Sequence, residues 1–277
     1  MPLAVCPTPI GNLEDVTLRV LRELAEADAV LCEDTRHTRV LLSRHGVTAR
    51  ELVSFHRLNE AARTAEILPR LEAGERVALV SDAGLPGVND PGARLVAAAI
   101  ERGLPVTVLP GPSAVETALV ASGLVGERYA FVGYLPRREA ERARLWEEIA
   151  AWTWPVVAFE SPKRLPASLA SLASADPARP VAVCRELTKR FEEVERGCAA
   201  DLAAHYTEAP RGEVTVVIGP GAAASGGASE DALRAVAELI AAGVPRRQAA
   251  ELVARLTGEP KNALYRGSLQ EGLAEDA

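Results

Sequence analysis

Residues Glu33-Asp34-Thr35-Arg36-His37 set two carboxylates, a guanidinium and an imidazole side by side, directly after the apolar run Ala29–Cys32. A carboxylate in such a cluster can take a proton from a reacting group, and Arg36 can steer an anion such as a phosphate. Glu33, Asp34 and Arg36 are therefore the first candidates for chemistry. Glu160-Ser161 and Arg185-Glu186-Leu187-Thr188-Lys189 follow apolar runs in the same way, and Arg185 and Lys189 have the charge to pair with nucleic-acid phosphates. Blander readings stay open beside these. Residues 33–37 also suit a helix cap on a solvated face, with Asp34 or Thr35 as the cap, and residues 185–189 suit an ordinary set of surface salt bridges.

Three loops rich in glycine and proline accompany these clusters. They are Pro7-Thr8-Pro9-Ile10-Gly11-Asn12, the long stretch from Ser81 to Gly92 (SDAGLPGVNDPG), and Pro110-Gly111-Pro112-Ser113-Ala114. Each follows a short apolar run. In a parallel α/β sheet such loops lie beyond the carboxyl ends of the strands, where ligands bind. One such loop would be an unremarkable connection, but three in one sheet point to a ligand site. None spells G-x-x-x-x-G-K-[ST] or G-x-G-x-x-G, so triphosphate and dinucleotide binding lack their motifs. A ligand held by backbone groups and small side chains fits better.

The elements needed to position these groups can be read from periodicity. Leu3–Cys6, Ala29–Cys32, Val77–Val80 and Val106–Leu109 read as strands, and Val16–Ala27, Thr38–Arg44 and Ala93–Arg102 as helices. Strands alternating with helices imply right-handed crossovers and a mostly parallel sheet. Beyond Gly111 the pattern changes. Ser113–Ser122, Arg138–Ala151 and Leu165–Ala173 read as helices; Tyr129–Gly133, Val156–Phe159, Val181–Cys184, Phe191–Glu195 and Glu213–Ile218 read as strands. Consecutive strands near 181–197 suggest a hairpin in a mixed sheet. The stretch 220–229 is a small-residue linker, followed by three helical patterns at 230–242, 246–256 and about 262–269. The expected division is 1–111, 112–219 and a helical module at 230–277.

Composition narrows the class. The 277 residues are 48% hydrophobic and 25% charged, which suits a globular chain and excludes general disorder. No apolar run reaches the ~20 residues of a membrane span, and the N-terminus lacks a basic segment before its apolar run, so a cytoplasmic enzyme is the expectation. The four cysteines and four histidines show no ligand spacing, and no structural metal is expected. The net charge of −7 argues against non-specific coating of nucleic acid. Between Val244 and Ser268, however, Arg246, Arg247, Arg255, Lys261 and Arg266 face only Glu251 and Glu259, a local +3, and Tyr265 adds a ring able to stack on a base.

Read in order, PTPIGNLEDVTLRVL, CEDTRHTRVLL, VALVSDAGLPGVNDPG, VLPGPSAVETALVASGL, FVGYLPR, FESPKRL, CRELTKRFEEVERG and RGEVTVVIG resemble the bacterial 16S rRNA (cytidine 2′-O)-methyltransferases of the decoding centre, a branch of the tetrapyrrole-methylase superfamily. The resemblance spans roughly residues 3–220, and the terminal helices are similar to that family's C-terminal extension. It implies a two-domain tetrapyrrole-methylase fold of the α/β class, a parallel-sheet domain followed by a mixed-sheet domain, and a homodimer. It also implies S-adenosylmethionine as cofactor, folded between the domains. The implied cofactor contacts are Ile10 in the first loop, Gly84, Leu85 and Val88 in the second, Ser113 and Ala114 in the third, and Phe159, Gly212, Glu213 and Val214 in the second domain. The implied partner is 16S rRNA, expected within the 30S subunit, met by Arg185, Lys189, Arg246, Arg247, Lys261 and Tyr265. The chain departs from the family pattern at Leu58, Leu85, Asn89 and Lys163, where the family carries a histidine, a threonine, a serine and a histidine.

Two other readings are weighed. A precorrin or other tetrapyrrole methylase would carry a glycine-rich G-x-G-x-G-D where this chain has PTPIGN, and has no need of a basic tail. A non-catalytic RNA- or cofactor-sensing module has no need of carboxylates beside the ligand cleft.

Overall fold

The computed structural model of the chain describes residues 2–221, 229–259 and 261–271. The expected linker therefore lies, at 222–228, outside the described residues. By compactness the chain forms two units. One holds residues 1–123 together with 183–194 and 212–215; the other holds 124–182, 195–211 and 216–277.

In the first unit ten elements alternate: β1 (Leu3–Cys6), α1 (Leu18–Glu26), β2 (Ala29–Cys32), α2 (Thr35–Arg44), β3 (Leu52–Ser54), α3 (Glu60–Glu72), β4 (Val77–Val80), α4 (Ala93–Glu101), β5 (Val106–Val108) and α5 (Ala114–Ser122). The strands form a sheet in the order β3-β2-β4-β1-β5, and every neighbouring pair runs parallel, with Leu3 opposite Val77 and Val106. Strands such as LAVC and VALV are apolar throughout because both faces are covered. Leu3 and Val5 pack with Ile67 and Leu71 of α3 and Leu95 of α4. Ala4 and Cys6, pointing the other way, pack with Val20 and Leu24 of α1 and Leu41 of α2. With all strands parallel, the loops after β1, β2, β4 and β5 leave from one edge, and the order places β1 between β4 and β5.

The second sheet has the order β6-β7-β10-β8-β9, from β6 (Ala130–Tyr134), β7 (Val156–Glu160), β8 (Pro180–Arg185), β9 (Glu193–Cys198) and β10 (Val214–Ile218), with α6 (Glu139–Ile149), α7 (Leu165–Ala175) and α8 (Ala199–His205) between them. The sheet is mixed, and the chain-consecutive β8 and β9 are neighbours in it. The terminal helices α9 (Glu230–Ala241), α10 (Arg246–Thr257) and α11 (Lys261–Glu271) enclose their own core of Ala232, Val236, Ala249, Ala250, Val253 and Leu264.

The structure corrects two boundaries. Strand β9 starts at Glu193 rather than at Phe191, whose ring is 66% exposed and lies under the Arg190 guanidinium; aromatic β-propensity there reflects no burial. Helix α2 starts at Thr35, not Thr38, and its cap is Asp34, whose Oδ1 accepts the Arg36 amide at 2.8 Å.

Candidate active site

The three loops meet. Thr8 and Gly84 exchange backbone hydrogen bonds at 2.9 Å each way, the Thr8 hydroxyl donates to the Ser81 carbonyl at 2.9 Å, and the Ser81 hydroxyl donates to the Gly84 carbonyl at 2.9 Å. A Cβ placed on Gly84 would lie 3.7 Å from Ile10 Cγ2 and 3.9 Å from the Pro112 carbonyl oxygen. Ile10, Gly84 and Pro112, one from each loop, thus share a single small-residue surface. Leu85 packs its partly buried side chain against the core cluster of the sheet, which leaves its backbone to the loop. Val88 is 38% exposed, and the Ser113 hydroxyl donates to Glu116 at the start of α5.

Residues 185–189 and 212–214 complete this corner within the same unit. The Glu186 carboxylate accepts from Lys189 Nζ at 2.8 Å and from the Glu213 amide at 3.0 Å, and Lys189 Nζ also donates to Glu213 at 2.8 Å. The Lys189 bond, with that of the Glu213 amide, holds the Glu186 carboxyl below its ordinary range. Burial would lower the Lys189 ammonium, but its two carboxylate partners raise it on balance. Arg185 donates to Glu193 at 2.7 Å. The first loop reaches this turn at Gly11, where a Cβ would come within 2.5 Å of Lys189 Cγ and 2.9 Å of the Leu187 carbonyl. Beside the contact lies a cavity of about 340 Å³, whose lining includes Ile10, Pro112, Thr117 and Thr188. Phe159 belongs to the second unit, where its ring meets Phe131 and Tyr134 edge-on with centroids 5.0 and 5.6 Å away.

The polar centre after β2 contains more than its sequence cluster. Asp34 is occupied as the cap of α2 and as a bidentate partner of Arg36, with 2.6 Å between Arg36 Nη2 and Oδ2, and these bonds hold its carboxyl well below the usual range. Arg36 is 84% exposed. Asp82, at the start of the loop after β4, accepts the Asp34 amide at 3.0 Å and lies 3.4 Å from His37 Nδ1. Glu33 is half-buried; burial and then the Asp82 charge raise its carboxyl, against Arg57 and His56. Asp90, near the end of the same loop, is pushed up to about 6 by burial and by Glu33 and Asp82, with Arg57 opposing. Sequence reasoning missed Asp82, Asp90 and Arg57 as site residues. The available signal was an acidic residue at each end of one loop, and only the neighbouring of β2 and β4 makes those residues partners of Glu33.

Other candidates have structural occupations. Glu160 is buried, accepting from Ser161 N at 2.6 Å and from the Ser168 hydroxyl, and paired with Arg164 at 2.5 Å. In the terminal module Arg246 donates to the Ser268 carbonyl and Lys261 pairs with Glu251, while Arg247 and Tyr265 are exposed. The Arg266 side chain lies outside the described residues. Among the described residues no group of three or more His, Cys, Asp or Glu is disposed to hold a metal ion, and no helix is long and apolar enough to cross a membrane.

Residues 2–203 match the tetrapyrrole (corrin/porphyrin) methylases, and residues 227–271 match the RsmI C-terminal HTH domain. The ribosomal RNA small subunit methyltransferase I of Mesorhizobium japonicum is 44% identical over 97% of this chain and 91% of its own length. The chain belongs to the ribosomal RNA small subunit methyltransferase I family of tetrapyrrole methylases. Another member of this methyltransferase family, from Thermotoga maritima, is 42% identical; the alignment takes in 97% of that protein and 78% of this chain. The methylase fold itself recurs in the crystal structure of uroporphyrin-III C-methyltransferase from Thermus thermophilus complexed with S-adenosylhomocysteine. That match has a TM-score of 0.55 and 22% identity, covering 78% of this chain and 96% of the other.

Proposed function

We propose that this chain transfers the methyl group of S-adenosylmethionine to the ribose 2′-hydroxyl of a cytidine in the decoding centre of 16S rRNA, acting in the cytoplasm as a homodimer on the 30S subunit. The observation that carries this reading is the convergence of Ile10, Gly84 and Pro112 on one surface, in a chain that belongs to a family named for methylating small-subunit rRNA. The donor's fit rests on that surface: Gly84 leaves backbone bare where a side chain would project, and Ile10 offers an apolar wall. Ser113, Ala114, Leu85 through its backbone, Val88 and Gly212-Glu213-Val214 are the further residues of this unit that would hold the donor. When bound, S-adenosylmethionine supplies an electrophilic methyl on a sulfonium.

The chain's own residues have three tasks. The loops hold the donor, and since a cationic donor and a developing alkoxide neutralise one another, holding both in line provides most of the acceleration. Glu33 receives the hydroxyl proton; its raised affinity for a proton suits a base near neutral pH better than Asp34, whose carboxylate is tied to Arg36 and to the α2 amide. Arg36, largely exposed, steers a phosphate of the target strand. Arg247 and Tyr265 are exposed while Arg246 and Lys261 are engaged within the module, so they are the better placed to meet RNA, with Arg185 and Lys189 shaping the donor corner.

The test is incubation with methyl-labelled S-adenosylmethionine and, separately, 30S subunits, naked 16S rRNA and uroporphyrinogen. Label is expected in the 30S RNA, in a dinucleotide that resists alkali because its 2′-oxygen is methylated. Label in a base, or in uroporphyrinogen alone, would overturn the reading.

A further inference from the structure

Two residues of the turn after β8 adopt left-handed backbone without being glycine: Glu186 at φ 51° and Thr188 at φ 65°. Such a conformation is unfavourable for any side chain and most of all for a β-branched one, where glycine or asparagine is the ordinary choice. Surrounding structure must hold it, and residues kept this way cluster at ligand sites. Here the holding groups are visible. Glu192 Oε2 accepts the Thr188 amide at 2.5 Å, and Lys189 is fixed between Glu186 and Glu213.

The conformation aims one atom. Thr188 Oγ1 accepts the Asn12 amide at 3.0 Å, a bond spanning 176 residues of chain, and Gly11 beside it lies too close to the turn for any side chain. Asn12 in turn accepts the Glu14 amide through its own side chain at 3.1 Å, which ends the first loop rigidly. Ile10 and Thr188 then line the same cavity. We propose that Thr188 is the positioning residue of the donor loop: its hydroxyl fixes residues 9–12 so that Ile10 stays on the face it shares with Gly84 and Pro112. The inference rests on S-adenosylmethionine binding at that face.

The test uses the full chain and three variants, Thr188→Val, Thr188→Ser and Thr188→Gly. The readouts are S-adenosylmethionine affinity by calorimetry, Tm, and kcat and KM with 30S subunits. Valine keeps the shape and removes the hydroxyl, serine keeps the hydroxyl, and glycine removes it while relieving the backbone. Valine and glycine are expected to weaken donor binding five- to tenfold and to raise its KM equally, with kcat within twofold of wild type. Serine should bind within twofold of wild type, and the glycine variant's Tm should not fall. Valine and glycine variants that bind the donor as wild type does, or affinities that follow Tm across the series, would overturn the proposal. Failure of the wild-type chain itself to bind S-adenosylmethionine would instead remove the donor reading on which it stands.

Discussion

Asp90 is held protonated to about pH 6 because it is partly buried and faces Glu33 and Asp82, with Arg57 giving only partial relief. Its native pKa lies above the ordinary carboxyl value of 3.8, so the folded state binds the proton more tightly than the unfolded chain. Stability at this position is therefore fullest below about pH 4 and declines as pH rises towards 6. Asp90→Asn should leave Tm near wild type at pH 4 and raise it at pH 7, a difference that thermal melts across that range will reveal. At Glu33 it is burial and then the Asp82 charge that raise the carboxyl, so Asp82→Asn is the variant that takes a like charge away from it. If Glu33 accepts the proton, the acid limb of the pH–rate profile moves to lower pH in Asp82→Asn. An unmoved limb would exclude Glu33. The contiguous cluster at 33–37 was legible because its charges adjoin in sequence. Asp82, Asp90 and Arg57 were not, since they come from loops brought together only by the order β3-β2-β4.

At the scale of elements, the strands LAVC, AVLC and VALV could be read from the sequence because burial on both faces leaves a continuous apolar run. Strand β3 is three residues long, too short to show a pattern, and α3 carries Pro69 in its last turns, a residue that ordinarily argues against a helix. Glu160 illustrates how position misleads: it ends a strand, as Glu33 nearly does, but it caps its own surroundings. Its carboxylate is enclosed by Ser161 N, the Ser168 hydroxyl and Arg164, and Arg164 also donates to the Leu135 carbonyl at 3.1 Å. Glu160→Ala strands a partly buried guanidinium and a buried hydroxyl, at a cost of about 3–5 kcal/mol. Tm should fall by roughly 10 °C, given about 2–4 °C per kcal/mol for a domain of 150–250 residues. Turnover per folded molecule at low temperature should stay within about threefold of wild type. A hundredfold loss of turnover with Tm unchanged would make Glu160 part of the chemistry after all.

The molecule as a whole raises the question of what the terminal helices contribute. They close on a core of their own, they match a helix-turn-helix domain, and they present Arg247 and Tyr265 to solvent. All of this favours a module that grips RNA rather than donor. The Thermotoga maritima relative aligns over 97% of its own length and 78% of this chain. A chain ending at Ala228 retains the bond from the Gly221 amide to the Trp152 carbonyl and all of both sheets. It should bind S-adenosylmethionine with wild-type affinity. Its KM for 30S subunits should rise at least tenfold, with kcat at saturating subunits within threefold, and the affinity that remains should depend less steeply on salt because basic contacts have been removed. Arg247→Glu in the full chain should reproduce part of the KM effect without touching donor binding. An unchanged KM in the shortened chain would leave RNA recognition to the methylase units alone, and a collapse of kcat at saturating RNA would mean that the helices help to shape the site where the hydroxyl and the methyl meet.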